Sequence, residues 1–88
     1  MKELTYFYLA GCPFCHKANR MIEKITAENP DLAAVPIHRV EESQEAALAD
    51  SYDYYYVPCF FLGREKLFEG DPTEADIRRV LETAANAE

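Results

Sequence analysis

The chain has 88 residues, 49% of them hydrophobic, three cysteines and a formal net charge of −7. That length holds one small domain with a modest core, and no apolar run is long enough to cross a bilayer. The acidic balance argues against nucleic acid and against anionic membrane surfaces, since both attract a basic face.

Residues 3–9 have high β propensity and are apolar on both alternating faces: Leu4, Tyr6 and Tyr8 on one, Thr5, Phe7 and Leu9 on the other. A strand apolar on both faces is covered on both, so this one is expected inside a sheet. Ala10-Gly11 breaks it, and Cys12-Pro13-Phe14-Cys15 follows. Pro13 suits the first position of a helix, where its missing N–H costs nothing. Cys12 then becomes the N-cap and Cys15 the third helical residue. Phe14, Ala18, Met21, Ile22 and Ile25 continue at helical spacing as a core stripe, and Asn29-Pro30 ends the helix.

Residues 35–40 read as a second strand, and Pro36 near its start marks an edge. Residues 41–53 predict a short Ala-rich helix, acidic at its N-terminal end as the helix dipole prefers. Tyr54-Tyr55-Tyr56 leads into a third strand over 57–62. Gly63-Arg64 makes a hairpin turn, and 65–69 is the fourth strand. Asp71-Pro72-Thr73-Glu74 predicts a last helix with Asp71 as N-cap and Pro72 in the first position, followed by the stripe Ile77, Val80, Leu81 and Ala84. The predicted order is β-α-β-α-β-β-α, a single α/β domain over residues 1–88.

Two cysteines two residues apart, where a strand passes into a helix, point to thiol–disulfide exchange, although such a pair can also be half of a metal site. The N-terminus shows no signal-peptide apolar region, so a cytoplasmic location is expected. An odd cysteine count in a reducing compartment is not a disulfide framework. A helix N-terminus carries unpaired N–H groups and partial positive charge. Cys12 is therefore expected to aim its sulfur at the amides of Phe14 and Cys15 and to react as thiolate, with His16 and Lys17 adding positive potential. Cys12 becomes the attacking sulfur and Cys15, one turn in, the resolving one.

Pro58 is unusual in a central strand because it donates no ladder hydrogen bond. A cis Val57-Pro58 peptide would leave the Val57 N–H and C=O free to pair with a substrate segment; an ordinary trans proline at a strand start is the other reading. Cys59 is either a small buried hydrophobe, or a thiol near the Cys12–Cys15 pair that modulates its redox behaviour or completes a zinc site with those two sulfurs and His16. The tyrosines of 52–56 either fill a core or line a groove, and Tyr56 is assigned to the groove.

Three features resemble the glutaredoxins of the thioredoxin-fold superfamily. C-P-F-C directly after the first strand is close to the C-P-Y-C of dithiol glutaredoxins. Val57-Pro58 is similar to the family's T-V-P with its cis-proline. Gly70-Asp71 stands before the last helix. Thioredoxins, by contrast, typically carry W-C-G-P-C and a buried acid in the preceding strand; here Ala10-Gly11 precedes Cys12 and that strand holds no acid.

The resemblance implies a thioredoxin fold: a four-stranded mixed sheet in order 2-1-3-4, flanked by three helices. It implies a monomeric thiol–disulfide oxidoreductase reducing protein or low-molecular-weight disulfides through Cys12 and Cys15. No cofactor would be bound tightly, and glutathione would be a possible reductant. Substrate contacts are expected at Phe14, Tyr56, Val57, Pro58, Gly70 and Asp71, with the γ-glutamyl carboxylate of glutathione at the last helix's N-terminus. Glu69-Gly70 stands where the family has Gly-Gly, Leu9 where a basic residue is common and Tyr56 where T-V-P has threonine. These departures lie on the glutathione-binding surface, so weak glutathione affinity is expected. A thioredoxin-like carrier with a thioredoxin-reductase-type donor is the alternative. The rival from another class is a zinc or iron–sulfur module on the same cysteines, including a cluster bridged by two Cys12 residues in a dimer.

Overall fold

The computed structural model describes residues 1–88. Its first strand, β1 (Leu4–Tyr8), lies inside the sheet and is covered on both faces. Leu4 and Tyr6 point into the larger apolar cluster and Phe7 into a smaller one on the opposite face. β1 pairs in parallel with β2 (Ile37–Glu41), and antiparallel with β3 (Cys59–Leu62). β3 pairs antiparallel with β4 (Glu65–Glu69), giving the order β2-β1-β3-β4. β2 is an edge strand, as Pro36 indicates, and the Leu4 N–H donates to the Pro36 carbonyl at 2.9 Å. At the β3–β4 hairpin Gly63 has φ +61°, the left-handed conformation that tight hairpin turns require. No helix is long and apolar enough to cross a membrane.

The first helix, α1 (Pro13–Glu28), starts at Pro13 as expected. Its buried stripe is Cys15, Ala18, Ile22 and Ile25. Met21 packs onto the cluster only in part, and Phe14 is 47% exposed. The first turn seats Cys15 rather than Phe14 against the sheet, with the Tyr6 hydroxyl 3.4 Å from the Cys15 carbonyl oxygen. A short helix, α2 (Pro30–Ala33), follows at once and was not expected. Pro30 closes α1 but also serves as first residue of the new turn, and Asn29 C=O accepts from the N–H groups of Leu32 and Ala33.

The helix expected over 41–53 is only α3 (Ala46–Asp50). Glu41 stays in the sheet, opposite Tyr8, and the Glu42 N–H donates to the Tyr8 carbonyl at 3.0 Å. The Glu41 carboxylate then accepts from the Ser43 N–H and hydroxyl, holding 41–45 as a turn. Strand pairing thus outcompetes helix propensity where a neighbouring edge is available. β3 begins at Cys59 rather than Val57, since neither Val57 nor Pro58 joins the ladder.

The last helix, α4 (Glu74–Asn86), is capped by Thr73 and not by Asp71. The Asp76 N–H donates to Thr73 Oγ1 at 3.2 Å, and the Thr73 N–H donates to Asp76 Oδ2 at 2.9 Å, a complete capping box. The Thr73 N–H, and the Thr73 hydroxyl donating to the same oxygen at 2.9 Å, hold the Asp76 carboxyl below the usual carboxylate range. Asp71 pairs instead with Lys17 on α1, at 2.9 Å. Thr73→Ala should therefore lower stability by about 1 kcal/mol, while Asp71→Ala, which loses an exposed ion pair, should change it by less than about 0.5 kcal/mol. Urea unfolding of the two variants checks this, and the opposite ranking would return the cap to Asp71. α1, α2 and α4 supply the larger cluster on one face of the sheet, and α3 contributes Ala49 to the smaller one.

Candidate active site

The strand directions decide what meets. β1 and β2 run in parallel, β3 runs opposite to them, and β4 runs opposite to β3. The C-terminal ends of β1, β2 and β4 and the N-terminal end of β3 therefore share one end of the sheet. Cys12, Glu42, Val57-Pro58 and Gly70-Asp71 all leave the sheet at that end.

Cys12 is the N-cap of α1 and is half-buried, whereas Cys15 is fully buried. The Cys12 N–H donates to the Leu9 carbonyl at 3.1 Å, and the Cys12 carbonyl accepts from the His16 N–H at 3.0 Å, so the turn carrying the first sulfur is fixed at both sides. The Cys12 side chain makes no cap hydrogen bond to the amides of Phe14 and Cys15, contrary to expectation. Its sulfur lies instead close enough to the Cys15 thiol to influence that group's ionisation.

Burial pushes the Cys15 thiol up to about 12. A hydrogen bond from the Leu9 backbone opposes this. The hydrogen bond to Cys12, its charge and that of Glu42 add to the rise. The first sulfur is thus reachable, and burial holds the second in its protonated form. All three cysteines are free thiols in this structure.

The other expected site residues divide. The Val57-Pro58 peptide is cis. Pro58 is buried, Val57 is half-buried, and neither the N–H nor the C=O of Val57 makes a backbone hydrogen bond. The Gly70 N–H donates to the Pro58 carbonyl at 3.0 Å, and Asp71 reaches Lys17, so the 70–71 segment ties the proline loop to α1. Lys17 is therefore neutralised by Asp71 rather than adding free positive charge, and the Asp71 carboxylate is already engaged. His16 is exposed, with its Nε2 hydrogen-bonded to the Ala10 carbonyl. Phe14 is a half-exposed aromatic beside the cysteines, and Tyr56 is 66% exposed.

The tyrosine segment splits by position. Tyr52 and Tyr54 pack on the smaller cluster against Phe7 and Phe61. Tyr55 and Tyr56 turn their rings outward. Cys59 also belongs to the smaller cluster, on the sheet face opposite α1. Its thiol is pushed up to about 12 by burial and by the Glu69 charge. Cys59 is thus the small buried hydrophobe of the two readings. It does not join Cys12, Cys15 and His16, and no three Cys, His, Asp or Glu side chains gather in the way a metal site needs. The donor set does not fit the zinc reading.

Two residues at this end escape sequence reasoning. Glu42 accepts from the Tyr54 hydroxyl at 2.6 Å and lies close enough to Cys15 for its charge to act there. Glu69 accepts from the N–H groups of Tyr55 at 2.9 Å and Tyr56 at 3.1 Å, and pairs with Lys66 at 2.6 Å. The ammonium and the two amides hold its carboxyl below the usual range. Its one sequence signal was a negative one, the departure from Gly-Gly.

No family model matches the chain. A thioredoxin from Methanocaldococcus jannaschii is 29% identical over 72 residues, which cover 82% of each chain. Among solved structures, a mutant thioredoxin from Halobacterium salinarum aligns with a TM-score of 0.68 at 20% identity, over 98% of this chain and 76% of that one. The architecture is the thioredoxin fold, a mixed sheet in order 2-1-3-4 with flanking helices. The fold and the thioredoxin relatives support thiol–disulfide oxidoreductase chemistry in general.

Proposed function

We propose that the protein is a thiol–disulfide oxidoreductase in which Cys12 attacks and Cys15 resolves. One observation carries the reading: a reachable cysteine caps a helix and a buried cysteine sits one turn in, at the sheet end where Val57 leaves its backbone groups unpaired. The Cys12 thiolate attacks one sulfur of the substrate disulfide, and the other sulfur leaves and takes up a proton. Cys15 then loses its proton and attacks Cys12, releasing the second substrate thiol. Two electrons and two protons have moved to the substrate, and a Cys12–Cys15 disulfide remains.

The first step prepares the second. Two of the causes that raise Cys15 are its hydrogen bond to Cys12 and the Cys12 charge. Both disappear once Cys12 is tied into the mixed disulfide, so Cys15 gives up its proton more readily at the moment it must attack.

The chain acts as a monomer on protein or small-molecule disulfides, with no nucleic acid or membrane partner, in a cytoplasmic setting. The C-P-F-C motif and Val57-Pro58 favour a glutaredoxin-like protein. The relatives and the Glu69 carboxylate favour a thioredoxin-like carrier, because Glu69 puts a charged side chain where glutaredoxins keep bare backbone. Glutathione is itself anionic, and the chain is acidic, so we assign the donor role to a thioredoxin-reductase-type protein. The test is to present oxidised protein to glutathione and to a thioredoxin reductase system in parallel. Faster reduction by the reductase is expected. Saturable, tight reduction by glutathione alone would return the glutaredoxin assignment.

A further inference from the structure

We propose that a groove beside the two cysteines receives a cationic side chain, arginine above all, from the polypeptide whose disulfide is reduced. The inference rests on the exchange reading above and names the kind of substrate it serves.

The groove is open, about 400 Å³ in volume, and its walls include Leu9, Glu42, Asp50, Tyr54 and Tyr55. The Leu9 carbonyl accepts from the Cys12 N–H, so one wall of the groove adjoins the turn that carries the first sulfur. Two carboxylates, Glu42 and Asp50, face no basic residue among its walls, and neither forms a salt bridge. Elsewhere at this end Asp71 is paired with Lys17 and Glu69 with Lys66, while Glu41 is turned onto the Ser43 N–H and hydroxyl. Glu42 gives one oxygen to the Tyr54 hydroxyl and leaves the other without a partner.

The aromatic wall suits the same ligand. Tyr55 is 82% exposed. A ring left so open gains by covering, and its face attracts a cation. A guanidinium is planar, stacks on tyrosine and forks onto a carboxylate, which a lysine ammonium does less well. The molecule already sets guanidinium groups over tyrosine rings, with Arg64 Cζ 4.2 Å from the ring centre of Tyr52, itself a wall of the groove, and Arg39 Cζ 5.6 Å from that of Tyr6.

The wall is also held in place before any ligand arrives. Glu69 fixes the backbone of Tyr55 and Tyr56 through their N–H groups. Val57, next along, offers its unpaired N–H and C=O to an extended segment. A substrate strand paired at Val57 thus runs beside a rigid tyrosine loop and an acidic groove. Ordering these parts in advance removes an entropy cost from binding.

The test uses pre-reduced protein and peptides with an internal disulfide, identical except that arginine is walked through the positions flanking each cysteine, with alanine as reference. The protein's two thiols supply the two electrons and two protons, so a single turnover ends with the protein disulfide and the peptide dithiol. The best arginine peptide should react about tenfold faster than the alanine peptide. That ratio should shrink as salt is added, and should fall towards one in Tyr55→Ala and in Asp50→Asn. Equal rates for arginine and alanine peptides overturn the docking inference and leave the exchange reading standing. An arginine preference that survives both substitutions removes the groove as its cause. Reduction of neither peptide overturns the exchange reading and the inference with it.

Discussion

Cys12→Ser should abolish disulfide reduction, lowering the rate by at least about a thousandfold, because the hydroxyl that replaces the reachable thiol is not an effective nucleophile at neutral pH. Cys15→Ser should behave differently. The first attack still occurs, but nothing resolves the mixed disulfide, so the substrate stays bonded to Cys12. Mass spectrometry of each variant mixed with a disulfide substrate separates the outcomes. A Cys12→Ser variant with the wild-type rate, or a Cys15→Ser variant that traps nothing, would reverse the assigned order.

The same pair carries a pH dependence with a fixed sign. The Cys15 thiol sits at about 12, above the ordinary thiol range, chiefly because it is buried. A proton must leave before it attacks, so the resolving step should accelerate as pH rises through the neutral and mildly alkaline range. Cys12→Ala removes the neighbouring hydrogen bond and charge, two of the causes of the rise. The Cys15 thiolate, followed by its ultraviolet absorbance, should then form at lower pH than in the wild type. A titration unmoved by Cys12→Ala would mean that the two sulfurs do not sense each other.

Phe60→Ala should be the most damaging single core change. Phe60 is fully buried and stacks on Tyr6 with ring centres 4.4 Å apart. It stands opposite Tyr6 of β1 and Phe68 of β4, beneath the cluster built by α1 and α4. Truncating a buried phenylalanine costs about 3–5 kcal/mol, against a total stability of roughly 5–15 kcal/mol for a small domain. The melting temperature should fall by roughly 20 °C. Phe14→Ala, at a half-exposed position, should leave it within a few degrees. Comparable losses from the two variants would mean that Phe14 is packed as its sequence spacing suggests.

That contrast shows where a sequence stops informing. Helical spacing put Phe14 in the apolar stripe because it shares a row with Ala18, Met21 and Ile25. Ala18 and Ile25 are indeed buried, but spacing alone does not say where the stripe begins: the buried row runs Cys15, Ala18, Ile22 and Ile25 and leaves Phe14 and Met21 at its margin. The Asp71 cap failed for a similar reason. Asp71-Pro72 and Thr73-x-x-Asp76 are both sound helix starts, and the choice fell to Thr73 while Asp71 bonds to Lys17, a residue far away along the chain. The helix expected over 41–53 shortened because β1 offered its edge to Glu41 and its last carbonyl to Glu42.

The central place of β1, the edge at Pro36, the start of α1 at Pro13 and the two-sulfur motif were legible in the residues, from local rules: alternation, proline's missing donor and the spacing of apolar positions. The sheet order was implied only by the family resemblance, because pairing order joins strands that local rules treat one at a time. The burial of Cys59 was one of the readings its residue type allowed, but its place on the sheet face opposite Cys15, and the full burial of Cys15, were not legible, because burial depends on what folds over a residue. The same holds for Glu42 beside Cys15, for Glu69 beneath the tyrosine loop and for the unneutralised groove next to Leu9. Each joins segments distant in sequence, and a carboxylate's partner is set by which backbone ends the strand directions bring together. The residue sequence determined where the sulfurs stand. The tertiary structure decided which of them is reachable and what kind of surface surrounds it.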